Sequence, residues 1–190
     1  MRRCERSLEQ SVRIAIYHAN QCDPKRCTGL KLKRHGLARV VTSVKYLPRR
    51  AIVLNPFSEI AFSPTDRQRI QDFGLAALDC SWEHAQKVVS GHVRGTSRCL
   101  PILIAGNPTN YAKATKLSTV EAIAGALCIA GFRKEAERVL SIFSWGHTFF
   151  ELNAELLETY ASAKDSAEII EFQTTLFSCS EAQPKKSRLG

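Results

Sequence analysis

The sequence predicts an α/β fold: an N-terminal part of parallel strands alternating with helices, then an all-helical C-terminal part. Three observations predict it. Short β-branched or aliphatic runs recur, each closed by a polar turn or a helix start. From Leu117 onward, capped helical segments follow one another with no strand-like run. The 190 residues are 44% hydrophobic and 24% charged, enough apolar mass to build a sizeable core.

Taken in order, Val12–Tyr17 is a β-branched run and reads as a buried strand. A polar, basic loop follows over Asn20–Gly36. Arg50–Leu54 is the second strand and ends at Asn55-Pro56. Ser63-Pro64-Thr65-Asp66 starts a helix, with Ser63 as N-cap, Pro64 at the first helical position and Asp66 returning a capping bond. That helix runs to about Phe73 and stops at Gly74. Leu75–Leu78 is the third strand, ending at Asp79. Trp82–Val89 reads as a helix, and Leu100–Ala105 as the fourth strand, ending at Gly106-Asn107-Pro108. Ser118-Thr119-Val120-Glu121 is a capping box before an apolar helix that ends near Gly131. Arg133–Phe143 is amphipathic, His147–Ala161 is one further helix, and Asp165 with Glu168 caps the last. The organisation expected is a basic α/β part over 1–116, a helical part over 117–180, and a disordered tail over 181–190.

Charge separates the parts. Lys+Arg number 27 and Asp+Glu 18, a net charge of +9. Residues 1–50 carry thirteen basic and three acidic side chains, so the whole excess lies there. A one-sided basic segment suits a phosphate backbone, although a solvated basic face gives the same composition. The longest uncharged stretch, Cys99–Ala112, has fourteen residues and contains two prolines. A membrane span needs ~20 apolar residues, so none is expected. The charged start resembles no secretory signal, and a cytoplasmic protein is expected. None of the seven cysteines forms C-x-x-C, and no histidine has metal-ligand spacing. Buried thiols and no metal are therefore expected.

Ligands of open α/β sheets bind beyond the C-terminal strand ends. Three such ends carry loop signatures: Asn55-Pro56, Asp79-Cys80-Ser81-Trp82 and Gly106-Asn107-Pro108. Asp79, at the end of an apolar strand, suits a general base, but it equally suits a helix cap. Trp82 can stack on a base, cover a sulfonium, or simply pack on the core. Asp23-Pro24-Lys25-Arg26-Cys27-Thr28-Gly29 can hold an anion through Thr28 and backbone N–H groups, or be a plain surface turn. Neither G-x-x-x-x-G-K-[ST] nor G-x-G-x-x-G occurs.

Together, these loops resemble one family. Asp23 to Leu32, Leu54-Asn55-Pro56, Leu75 to Trp82, Arg98-Cys99-Leu100-Pro101, Asn107 to Tyr111, and Leu117 to Ala122 are similar, in this order, to the motifs of the small-subunit ribosomal RNA aminocarboxypropyltransferases of archaea and eukaryotes. The resemblance spans roughly residues 12–175. It implies a SPOUT-like parallel sheet with a trefoil knot and a helical C-terminal part. It implies S-adenosyl-L-methionine as cofactor and transfer of its 3-amino-3-carboxypropyl group to N3 of an N1-methylpseudouridine in small-subunit rRNA, releasing 5′-methylthioadenosine. It implies a monomer acting on rRNA or a pre-ribosomal subunit.

Carried onto this chain, Asp79 is the candidate base. Thr28, Leu78, Trp82, Leu100, Tyr111, Thr115 and Thr119 are the candidate cofactor contacts. Lys25, Arg26, Lys31, Lys33 and Arg34 are the candidate RNA contacts. The family pattern has glycine at Ala112 and an aromatic at Thr115, so this chain departs from it twice. A SPOUT-type RNA methyltransferase and a non-catalytic ribosome-assembly RNA binder are the competing readings.

Overall fold

The computed structural model describes residues 11–21, 23–80 and 93–181. The helix expected over Trp82–Val89, with Trp82 itself, and the tail from 182 onward lie outside the described residues.

Five parallel strands form one sheet: β1 (Ile14–His18), β2 (Arg39–Val41), β3 (Ile52–Leu54), β4 (Leu75–Asp79) and β5 (Thr96–Arg98), in the order β2-β1-β4-β3-β5. The inner strands β1 and β4 pair from Ile14↔Leu75 to His18↔Asp79. All of β1 is buried, as expected where both faces of a parallel sheet are covered. Alternation then divides its side chains. Ile14 and Ile16 join the main core, whereas Ala15 and Tyr17 join a smaller cluster on the other face with Val53 and Ala76.

Helices connect and cover the strands. α1 (Thr28–Arg34) follows β1 within the stretch expected to be a loop. Its cap explains the difference. The N-cap is Cys27, whose sulfur accepts from Leu30 N at 3.3 Å, rather than one of the usual oxygen-bearing caps. β2 is three residues long and sits at the sheet edge, too short to show a period. A 3-10 turn over Pro64–Asp66 leads into α2 (Arg67–Phe73), with the expected Ser63/Asp66 capping box in place. Gly74 ends that helix at φ +90°, and a Cβ there would meet Arg13 O at 2.5 Å. Only glycine fits this reversal without strain.

The C-terminal part is α3 (Thr119–Ile129), α4 (Arg133–Leu140), α5 (Gly146–Leu152), α6 (Ala154–Ser162) and α7 (Ser166–Glu181). α3 is apolar around most of its surface and sits inside the main core, its Ile123 and Leu127 fully buried beside the sheet's Ile16 and Ile52. The α/β and helical parts thus share one core. Burying a side chain of this size stabilises by roughly 1.5–3 kcal/mol, so α3 anchors the helices to the sheet.

Two expectations are corrected. Leu100–Ala105 is not a strand; the strand is Thr96–Arg98, immediately before it. Pro101 has no N–H to offer a ladder; Leu103 and Ala105 bond the backbone of residues 112–115, and side chains of the helical part take the backbone groups of Ile102 and Ile104. Ile102 N donates to Gln173 Oε1 at 2.8 Å, Tyr160 Oη donates to Ile102 O at 3.2 Å, and Ile104 N donates to Asn153 Oδ1 at 2.7 Å. The helix expected over His147–Ala161 is broken at Asn153, which is fully buried and spends its side chain on Ile104 and Phe149 carbonyls instead of exposing it to solvent.

Candidate active site

The carboxyl ends of β3, β4 and β5 open on a cleft of about 660 Å³, within the roughly 300–1,000 Å³ of small-molecule sites. Asn55 and Pro56 line it after β3, Asp79 and Cys80 after β4, and Cys99 to Leu103 after β5. Arg26, Cys27 and Thr28 close it from the start of α1, and Leu117 to Thr119 from the start of α3. The Gly106-Asn107-Pro108 turn does not line it, contrary to the expectation. Glu121 holds that turn beneath the site instead. Its Oε1 accepts from Gly106 N at 2.7 Å and Asn107 N at 2.9 Å, and its Oε2 from Asn107 Nδ2 at 2.7 Å and Ser118 N at 2.7 Å. The capping box was legible in the sequence, but the second use of its glutamate was not.

Asp79 is the centre of the arrangement. Its side chain is 18% exposed. Thr119 Oγ1 donates to its Oδ1 at 3.0 Å, and the Cys27 thiol donates to its Oδ2 at 3.1 Å. His18 Nε2 lies 3.8 Å from the same Oδ2. These contacts join β1, α1, β4 and α3 at one carboxylate. Gly29 permits them, since a Cβ there would stand 3.0 Å from Asp79 Oδ2. Burial, with the charge of Asp79 beside it, pushes the Cys80 thiol up to about 11. It is therefore a neutral thiol near neutral pH.

The structure brings Thr28, Leu78, Asp79, Leu100, Thr115 and Thr119 to the cleft. Thr28 Oγ1 also accepts from Val120 N at 3.4 Å, fixing α1 against α3. Tyr111 does not line the cleft and is 58% exposed. The next residue, Ala112, has φ +59°, and Thr115 has φ +62°. Both occupy the left-handed region, costly for alanine and more so for a β-branched residue. The glycine that the family pattern places at 112 relieves one of these strains. Trp82 lies outside the described residues.

Among the candidate RNA contacts, Lys25, Arg26, Lys33 and Arg34 are exposed. Lys31 is partly buried. Its Nζ donates to Ile142 O at 2.7 Å and lies 4.5 Å from the Phe143 ring centroid, so it ties α1 to the helical part. Arg26 belongs to both sets, as a cation on the cleft wall and in the basic loop.

Residues 52–177 match the family model described as ribosome biogenesis protein, C-terminal. Residues 12–45 match one described as a possible Fer4-like domain in RNase L inhibitor. That stretch holds two cysteines, Cys22 and Cys27, short of the four thiolates an iron–sulfur cluster takes. The 16S rRNA aminocarboxypropyltransferase of Methanothermobacter thermautotrophicus is 49% identical over 163 residues, which is 85% of this chain and 96% of the relative. The enzyme of the same name from Methanosarcina acetivorans is 47% identical over 167 residues, 87% and 94% of the two chains. A solved structure, the SAM-dependent rRNA:acp-transferase Tsr3 from Vulcanisaeta distributa, superposes with a TM-score of 0.78 at 38% identity, covering 90% of this chain and 97% of that one. Identity at this level, over nearly the whole of these relatives, establishes that the chain belongs to the 16S rRNA aminocarboxypropyltransferase family.

Proposed function

We propose that the chain transfers the 3-amino-3-carboxypropyl group of S-adenosyl-L-methionine to a uridine of small-subunit rRNA. The observation that carries this reading is the cleft at the strand ends, with Asp79 held at its centre, in a chain so similar to named aminocarboxypropyltransferases. The residues present fit the cofactor. Leu78, Leu100, Leu103 and Leu117 offer apolar wall to an adenine. Arg26 and Thr28 offer a cation and a hydroxyl to a carboxylate. Asp79 offers negative charge to a sulfonium. When bound, S-adenosyl-L-methionine supplies an electrophilic γ-carbon and leaves as 5′-methylthioadenosine.

The chain's own part is positioning and proton handling. A sulfonium has three reactive carbons, and the one facing the acceptor reacts, so the walls of the cleft set the chemistry. Asp79 accepts the proton from uridine N3, with Thr119 and Cys27 fixing its two oxygens. By its match to the family motif, Trp82 is the residue that would cover the cofactor's methyl and sulfur. Lys25, Lys33 and Arg34 meet the RNA backbone beside Arg26.

The finer reading keeps the acceptor as N1-methylpseudouridine and the protein as a cytoplasmic monomer acting on pre-ribosomal subunits. It keeps the SPOUT-like fold with a trefoil knot. The parallel sheet with non-sequential strand order, and the tying of residues 100–107 into the helical part, support that fold. Among the described residues, no helix is long and apolar enough to cross a membrane.

The spent cofactor tests the reaction. After incubation with small-subunit rRNA that lacks the modification, chromatography is expected to show 5′-methylthioadenosine. S-adenosylhomocysteine in its place would assign a methyltransferase.

A further inference from the structure

Three donor atoms of different chemistry converge where β1, α1 and β4 meet. One ligand atom from each of His18, Cys27 and Asp79 lies within 4.8 Å of the other two. Cys27 Sγ is 3.1 Å and His18 Nε2 is 3.8 Å from Asp79 Oδ2. Tetrahedral zinc, with bonds of about 2.3 Å to sulfur and about 2.0–2.2 Å to nitrogen and oxygen, holds such donors roughly 3.4–3.6 Å apart. The two spacings at Asp79 Oδ2 bracket that value, and the Cys27–His18 spacing, within 4.8 Å, reaches it with roughly an ångström of side-chain movement.

The surroundings also suit an ion. His18 and Cys27 are buried, with 3% and 6% exposure. Thr119 holds the other oxygen of Asp79 and so orients Oδ2. His18 Nδ1 lies 2.9 Å from Asn20 Oδ1 and 3.2 Å from Asn20 N. Asn20 N donates to Nδ1, which leaves the ring hydrogen on Nε2 facing Asp79; a metal at Nε2 displaces that hydrogen and selects the other tautomer, whose Nδ1–H donates to Asn20 Oδ1. Cys27 and Asp79 also line the cleft, so a fourth coordination position opens toward it.

We propose that His18, Cys27 and Asp79 form a binding site for one zinc-class divalent cation. On binding, the Cys27 S–H bond breaks, its electron pair goes to the metal and the proton goes to the buffer. No atom changes oxidation state. Asp79 Oδ2 exchanges its thiol hydrogen bond for a metal bond. The ion therefore competes with the proton-accepting role of Asp79 and inhibits transfer. That consequence rests on the proposed function; the binding itself does not.

The test is a cobalt(II) titration of the full chain in a phosphine-reduced, chelator-free buffer, without cofactor or RNA. One equivalent is expected to give tetrahedral visible bands and a thiolate-to-cobalt charge-transfer band in the near ultraviolet, both bleached by zinc. Cys27→Ser keeps a group that can cap α1 and is expected to abolish the charge-transfer band. His18→Gln is expected to weaken binding at least ten-fold, with unchanged circular dichroism. No thiolate band in the wild-type chain would overturn the site without reference to any variant. A band that persists in Cys27→Ser would assign it to another thiol and overturn it as well. Failure of the by-product assay leaves this result untouched, and the two ideas fail separately.

Discussion

At the scale of single residues, Asp79 separates two roles that the sequence left open. The position at the end of an apolar strand was legible, and so was the carboxylate's fitness as a base or a cap. The structure shows its oxygens bound across the fold to Cys27 and Thr119, contacts 52 and 40 residues apart in sequence. No local pattern encodes such distances. Asp79→Asn keeps the shape and an oxygen for Thr119 but cannot accept a proton at neutral pH. It is expected to lower the single-turnover rate by about 100-fold or more, with cofactor affinity changed only a few-fold in calorimetry. An unchanged rate would reduce Asp79 to a structural tie. Ala112 shows the opposite case. Its departure from the family's glycine was readable, but the reason, a left-handed φ of +59°, belongs to the folded loop.

At the scale of elements, oxygen caps and apolar periodicity made most helices legible, and α1 was the exception. Ser63/Asp66 and Ser118/Glu121 mark true helix starts. α1 begins at a cysteine sulfur and was read as loop. The segment 100–105 has strand-like composition, yet Ile102 and Ile104 spend backbone groups on Gln173, Tyr160 and Asn153 from helices far along the chain, while Leu103 and Ala105 bond residues 112–115. Asn153 makes the break between α5 and α6 and braces Ile104 at both N–H and C=O. Asn153→Ala improves local helix propensity, but strands the partly buried backbone N–H and C=O of Ile104. It is expected to destabilise the fold by roughly 2–4 kcal/mol in urea unfolding. A neutral or stabilising result would show that helix propensity outweighs the bracing.

At the scale of the whole molecule, the parallel α/β sheet, the helical second part and the basic first quarter all followed from the sequence. The sequence leaves open whether the two parts share one core, because that depends on α3 packing on strands far earlier in the chain. Burial in that core has a measurable signature. It pushes the Cys128 thiol from its ordinary 9.0 up to about 11, against the opposing pull of Arg133. Cys80 rises equally, and Tyr160 goes from 10.0 to about 12. The folded chain holds these protons more tightly than the unfolded chain. Their contribution to stability is complete below pH 9 and is lost as pH rises through about 11 and then 12. The urea midpoint is expected to fall over that range, and less steeply in Cys128→Ala. A flat midpoint would contradict this account of the buried thiols.

The charge asymmetry, the cleft and the family together make one claim: that this chain moves the aminocarboxypropyl group, not the methyl group, onto small-subunit rRNA. The most direct measurement uses S-adenosyl-L-methionine carrying distinguishable labels in its methyl and carboxyl carbons, with unmodified small-subunit rRNA as acceptor. The carboxyl label is expected to enter the RNA one-for-one with 5′-methylthioadenosine formed, and the methyl label to stay with the nucleoside by-product. Methyl label in the RNA without the carboxyl label would contradict the account.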